Sequence, residues 1–503
     1  MAPPENSDRE SLLARLYGRL RPHANSVIAG ESLKAKVYRG GAWIGTWSVG
    51  SQAVRFGRNI VLTRLLAPEA FGMMAIVLSA ASVFHTMTDI GVKEALVQNP
   101  RGTEEHYANA AWWLALGRSL LLYLVAFVSA PWVSRFYGNP ELAPLLRVAF
   151  IAVIFDGVFS SRAYVAMKEM KFGKWAAINH GGGICGVIIT IVLAIFFRNV
   201  WALVIGSVAE SAGSCILSYI LCPHMPSFSW DNAAFRDLLR FAKGLFGLSF
   251  LNFIFARTDV FVLAKLFSPV ALGLYVMAVY LAQTPTSFIM NLFGQTLLPT
   301  FAQIQDDPQR TSRILLQVTS ATLLVGMPIV VFILFSGNSI LRVFYGQRYG
   351  LASASLMVAS SVALLNIVNG QITTVFYARG LPRLHRRCVF IMAVTMIVLI
   401  YPFLKWFGLV GGQLAALVSI GTGFLFQVAR IRDLIGLNLA RYGKAFLLSA
   451  GISLSVAVVY LVARPFVVFS RPVANILIGA TGCLVAYSLS LMSLLRSREK
   501  EAA

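Results

Sequence analysis

The chain has 503 residues, 57% of them hydrophobic and 13% charged, and its formal net charge is +22. With a mean hydropathy of +0.71, spanning-length apolar stretches follow one another almost without pause, which excludes an ordinary soluble domain. The five cysteines have no metal-ligand spacing and an odd count, so neither a disulfide framework nor a metal site is expected.

Residues 1–39 form a tail without an apolar signal core, because Leu12, Leu13, Leu16 and Leu20 alternate with Arg15, Arg19 and Arg21. The tail is either a short amphipathic helix on the membrane surface or disordered. Fourteen candidate spans follow, centred near Gly50, Ser79, Leu121, Ile154, Val187, Ser211, Phe250, Ala282, Leu324, Leu364, Ala393, Leu417, Ser455 and Ala480. The fold class is therefore all-α and polytopic, since a helix satisfies its own backbone hydrogen bonds in lipid.

The segment Arg64-Leu65-Leu66-Ala67-Pro68-Glu69-Ala70-Phe71-Gly72 returns as Lys265-Leu266-Phe267-Ser268-Pro269-Val270-Ala271-Leu272-Gly273, offset by 201 residues. Phe136-Tyr137-Gly138 returns as Phe344-Tyr345-Gly346 at an offset of 208. Equivalent positions are an even number of spans apart, so the chain reads as two parallel six-helix repeats about an axis along the membrane normal. The expected bundles are residues 40–222 and 240–432, joined by a linker over 223–239, with two added helices and a tail over 433–503. The linker, Pro223-His224-Met225-Pro226-Ser227-Phe228-Ser229-Trp230-Asp231, leads into a predicted surface helix from Asn232 to Phe241. It is either a hinge between rocking halves or a plain connector.

Charge orients the chain. With the amino terminus in the cytoplasm, the even-side loops and both tails hold 28 Lys and Arg, against nine on the opposite loops. The positive-inside rule then places both termini in the cytoplasm, and the surplus lies against anionic lipid headgroups rather than nucleic acid.

Arg55, Arg58, Arg118, Arg147, Arg162 and Arg257 fall in or near apolar spans, where an ionisable group costs roughly 2.5–3.5 kcal/mol or more. Arg162 has an alternative, to reach back to the cytoplasmic edge. Arg55 and Arg58 share one helix face. At the 201-residue offset the second half offers Ala256 and Asp259 with Arg257 between them, so Asp259 could meet Arg55 or Arg58 across the bundle, functionally or as a structural ion pair. His85 and Asp89 can meet on one face as a proton or sodium relay, although Asp89 in Asp-Ile-Gly also suits a helix cap. Asp156 is the remaining acidic candidate. Gly181-Gly182-Gly183, and Gly41 with Gly45, read as close helix contacts, because no Lys-Ser follows to make a phosphate loop. Neither HExxH nor GxSxG occurs, and no long extracytoplasmic loop could hold a catalytic centre, so neither enzyme nor cofactor is expected.

The ordered set Arg64–Gly72, Asp89-Ile90-Gly91-Val92-Lys93-Glu94-Ala95-Leu96-Val97-Gln98, Arg257-Thr258-Asp259, Gly273-Leu274-Tyr275, Leu298-Pro299-Thr300-Phe301, Gln305–Arg310, Pro328 and Val343–Gly346 resembles the Wzx-type polysaccharide flippases of the multidrug/oligosaccharidyl-lipid/polysaccharide exporter superfamily. The likeness spans residues 40–495. It implies two bundles around a central cavity and translocation of undecaprenyl-diphosphate-linked oligosaccharide across a bacterial inner membrane, for lipopolysaccharide or exopolysaccharide assembly. It further implies cavity cations on the diphosphate or on anionic sugars, here Arg55, Arg58 and Arg257 with Arg147 and Arg118 behind them, and partnership with polymerase and chain-length machinery. Arg55-Phe56-Gly57-Arg58-Asn59 also resembles lipid II flippases, whose usual Arg-Asp pair is Arg58-Asn59 here. A drug or cation exporter of the same superfamily is the alternative, ahead of a membrane polymerase or ligase; arginine-rich spans favour an anionic cargo.

Overall fold

A computed structural model describes residues 33–88, 96, 100–169, 171–227, 232–463 and 472–502. Among the described residues, sixteen α-helices run in order: α1 Leu33–Leu65, α2 Pro68–Thr88, α3 Glu105–Tyr137, α4 Leu142–Ala149, α5 Ile151–Val158, α6 Ser161–Lys168, α7 Phe172–Phe197, α8 Trp201–Leu221, α9 Asn232–Leu266, α10 Pro269–Gln303, α11 Pro308–Phe344, α12 Ser353–Ala378, α13 Pro382–Phe407, α14 Leu409–Ile435, α15 Leu439–Ala463 and α16 Pro472–Ala502. Among the described residues, nine helices are long and apolar enough to cross a membrane, or ten if one bent pair counts as a span. Each of the fourteen predicted centres falls on a helix. The predicted amino-terminal tail lies outside the described residues up to position 32, as does the packing of Gly41 and Gly45.

Helix ends follow local chemistry. The Ser268 hydroxyl accepts from the Ala271 N–H, the Asp307 carboxylate accepts from the Arg310 N–H, and each is followed by a proline at the first helical position. The repeated Phe-Tyr-Gly is a stop signal in both halves: α3 ends at Gly138 with φ 68° and α11 ends just before Gly346 with φ 111°, values that suit glycine.

Two expectations are corrected. The surface helix expected over Asn232–Phe241 is not separate: α9 runs unbroken for 35 residues, with no proline along it to stop it. The fourth span is broken instead, with a 55° bend between the Leu142–Val158 stretch and α6. The freed backbone is satisfied from a neighbour. The Ser160 N–H donates to Ser218 Oγ at 3.0 Å, and the Ser160 hydroxyl donates to the Cys222 carbonyl at 2.7 Å. The start of the linker is pinned to α3 by Asn109 and Trp113, which donate to the hydroxyl and carbonyl of Ser227. All five cysteines are unpaired and all but Cys185 are buried, as small packing residues should be.

The duplication is visible in packing. In the first half α1 packs on α7, α7 on α8 and α3 on α5; in the second half α9 packs on α13, α13 on α14 and α11 on α12. The added helices α15 and α16 both rest on α11. Across the halves, α2 crosses α10 at the repeated glycines. A Cβ on Gly72 would lie 1.9 Å from the Pro269 carbonyl oxygen, and one on Gly273 would lie 1.8 Å from that of Pro68. Each half thus makes the same backbone contact with the other, as a twofold axis between repeats requires.

Beside that crossing, the Arg64 guanidinium donates to the Val343 carbonyl at 2.5 Å, and the Lys265 ammonium donates to the Phe136 carbonyl. These are repeat-equivalent cations, each capping the end of the other half's third span. One apolar core joins both halves at this end and includes Leu62, Phe71, Leu145, Leu263, Tyr275 and Tyr345. At the opposite end the described residues form separate clusters, around Phe301, Phe376 and Ile431 in the second half and around Tyr107 or Ile178 in the first. The halves are welded at the Pro68 end and cored separately at the other.

Candidate functional site

Charge gathers directly beneath the weld. On α1, Arg58 and Arg55 lie about 6 and 10 Å of helical rise before the buried Leu62. Arg55 Nη2 meets Glu210 Oε1 of α8 at 2.5 Å, and the two side chains keep 37% and 27% of their surface exposed, so the pair remains accessible. Arg58 lies within electrostatic reach of Glu210, Arg55 and the Tyr280 hydroxyl, and its Nε approaches Asn59 Oδ1 at 3.4 Å. Tyr280 belongs to α10, so the group spans both halves. His180 of α7 completes it near Arg55, stacked on Trp47 with ring centroids 6.1 Å apart.

Small residues place Glu210. A Cβ on Gly182 would lie 1.9 Å from Ser214 Oγ, and one on Gly186 would lie 2.6 Å from the Glu210 Cβ. On the other side of the contact, a Cβ on Gly206 would lie 1.9 Å from Thr190 Oγ1. The expected role of the Gly181–Gly183 run therefore holds for Gly182, and its consequence is that α7 and α8 touch along their backbones. Gly183 leaves the room that Arg55 fills: a Cβ there would stand 3.3 Å from Arg55 Nη2.

The expected Asp259–Arg55 or Asp259–Arg58 pair does not form, because Arg55 has Glu210 and Asp259 is committed elsewhere. Asp259 is 8% exposed. It accepts from the Tyr275 hydroxyl at 2.6 Å and from the Val260 N–H at 2.8 Å, while Gln413 donates to the same hydroxyl at 2.6 Å. This knot ties α9, α10 and α14 together inside the second half. Tyr275→Phe leaves the carboxyl group one partner short, which is expected to cost about 1–3 kcal/mol. A thermal melt of the detergent-solubilised chain checks it, and an unchanged midpoint would refute the role.

The other candidates scatter. Arg257 is exposed on α9, two residues from Asp259. Arg147 on α4 lies over the Phe127 ring at 4.4 Å. Gly157 presses on Ser119, with a built Cβ only 2.0 Å from Ser119 Oγ, which brings Asp156 and Arg118 to one level of α5 and α3. Arg162 is exposed and lies 3.9 Å from Glu105. The side chain of His85, and Asp89 altogether, lie outside the described residues. Glu210 and Tyr280 were the residues missed. Glu210 carried the same signal as the arginines, an ionisable group in an apolar span, whereas Tyr280 carried none.

Residues 61–354 match the family described as polysaccharide biosynthesis protein. Lipopolysaccharide biosynthesis protein WzxC of Escherichia coli (strain K12) is 22% identical over 396 residues, covering 78% of this chain and 79% of that one. Succinoglycan biosynthesis transport protein ExoT of Rhizobium meliloti (strain 1021) is 25% identical over 313 residues, 61% of this chain and 63% of its own length. Among solved structures, the inward closed conformation of lipid II flippase MurJ superposes with a TM-score of 0.72 at 15% identity, covering 90% of this chain and 99% of that chain. An inward-facing multidrug resistance MATE family transporter of the MOP superfamily gives 0.54 at 14% identity, covering 76% and 95%. These two show a shared fold. With the family match covering more than half of its length, the chain belongs to the polysaccharide biosynthesis protein family, built on the fold of the multidrug/oligosaccharidyl-lipid/polysaccharide exporter superfamily.

Proposed function

We propose that this multi-pass membrane protein is a flippase that carries a polyprenyl-diphosphate-linked oligosaccharide, on an undecaprenyl carrier, from the cytoplasmic to the periplasmic leaflet of a bacterial inner membrane. The observation that carries the reading is the Arg55–Arg58–Glu210–Tyr280 group, placed between the halves directly beneath the closed end. A diphosphate is recognised by guanidinium forks acting in pairs, and a headgroup passing between halves needs polar walls while its tail stays in lipid. Both termini lie in the cytoplasm, so the welded Pro68 end is periplasmic and the structure is closed outward. The two bundles move about the connector between α8 and α9, with Arg257 as a further contact on the cargo's path. Polymerase and chain-length machinery take the delivered repeat units.

The test is the lipid-linked oligosaccharide pool in cells lacking the chain. The expected result is accumulated oligosaccharide still facing the cytoplasm, with surface polysaccharide lost and restored by a plasmid copy. A normal pool together with heightened sensitivity to cationic drugs would refute it and identify an exporter instead.

A further inference from the structure

Arg55 does not stand open to an anionic cargo. Glu210 holds it at 2.5 Å, and α8 cannot easily carry the carboxylate away, since Gly186 of α7 abuts the Glu210 backbone. We propose that Glu210 is a resident counter-anion that occupies the Arg55 half of the binding site and so selects for a doubly phosphorylated headgroup. The inference rests on the flippase reading above and names what sets its selectivity.

Cargo binding at Arg55 is an exchange of anions. A headgroup with a single phosphate that displaces Glu210 swaps one anion on Arg55 for another, and it must break a charge-assisted hydrogen bond to do so. It also leaves Glu210 unpaired inside the protein, which is costly. A diphosphate has two phosphoryl groups. One can engage Arg58, which Glu210 contacts only through its field, before the other competes for Arg55. The two arginines are three residues apart on one helix face, so two linked phosphates can reach both without moving the backbone. The partial exposure of Arg55 and Glu210 leaves that exchange open to a ligand arriving between the halves. Specificity obtained by penalising the wrong ligand follows the general logic of built-in competitors. Re-pairing of Arg55 with Glu210 would then help expel the cargo once the site faces outward.

The charged and titratable groups around the pair are Arg58 on α1, His180 on α7 and Tyr280 on α10. Among the described residues of this group Glu210 is the one carboxylate, so its removal changes the electrostatics at a single point.

The experiment measures binding of a polyprenyl diphosphate and of the matching polyprenyl monophosphate to the purified full chain in detergent. The unaltered chain is expected to prefer the diphosphate. In Glu210→Gln both bind more tightly, the monophosphate gains most, and the preference falls by about tenfold. Glu210→Asp keeps the charge but withdraws it by one methylene, so it gives an intermediate preference and carries the test if the glutamine variant does not fold. An unaltered preference in the variants, or weaker binding to Glu210→Gln, overturns the inference while leaving the flippase reading intact. Failure of the unaltered chain to bind either lipid overturns both.

Discussion

Leucine at both Gly72 and Gly273 is expected to abolish export, with loss of at least about tenfold in surface polysaccharide at normal protein levels. The contact is between backbones. Cβ atoms there would lie within 2 Å of the Pro269 and Pro68 carbonyl oxygens, and no side chain can rotate away to make room. Overpacking of this kind costs roughly 1–3 kcal/mol per site, and two sites on one contact do not simply add. The contact belongs to the closed arrangement, so the double variant is expected to shift the halves apart at the Pro68 end. A cysteine placed at Arg58, with Cys185 replaced first, reads the shift through a membrane-impermeant thiol reagent added from outside. Labelling should be slow in the parent and fast in the Gly72→Leu/Gly273→Leu chain. Equal labelling, with normal complementation by the Gly72→Leu/Gly273→Leu chain that keeps Arg58, would show that this crossing is not the barrier. The caps by Arg64 and Lys265 should act in the same direction but more weakly, because each lies at an exposed edge, Arg64 with one hydrogen bond to Val343 and Lys265 with one hydrogen bond and a ring contact at Phe136.

Removal of Arg55 and Arg58 together is the second large effect. Transport should fall by about a hundredfold or more, equivalent to the loss of two charge-assisted contacts at about 1.5–3 kcal/mol each. Arg55→Ala alone is ambiguous, since it strands Glu210 and breaking such a pair is itself destabilising. Arg55→Ala/Glu210→Ala removes both partners. It should recover normal expression and detergent stability yet remain inactive. Arg58→Lys keeps the charge without the fork and should retain only part of the activity. The lipid-linked oligosaccharide pool in complemented cells measures all four variants. Full activity in the double alanine variant at Arg55 and Arg58 would remove the arginines from the mechanism.

Much of the fold was legible because it depends on short-range features. Apolar length marks helices, Pro68 and Pro269 mark their starts, and Phe-Tyr-Gly marks their ends in both halves. The site was half legible. The rule that charge in an apolar span signals function drew out Arg55 and Arg58, and applied evenly it would have drawn out Glu210. At Arg147 a phenylalanine ring receives the cation. For Asp259, equivalent numbering directed the expected partner toward the wrong half. Offset alone cannot say that Tyr275, sixteen residues on, turns back to the same carboxylate.

By itself, then, the sequence determined a duplicated all-helical membrane protein and the family to which it belongs, because hydropathy, repeat spacing and helix punctuation are properties of neighbouring residues. Only the tertiary structure decided that Arg55 takes Glu210, 155 positions away, as its partner. It alone decided that the two copies of one motif meet each other at Gly72 and Gly273. Both outcomes depend on how closely helix backbones can approach, which is set by the absence of a side chain on each of two distant strands of sequence at once. No single stretch of sequence carries that information.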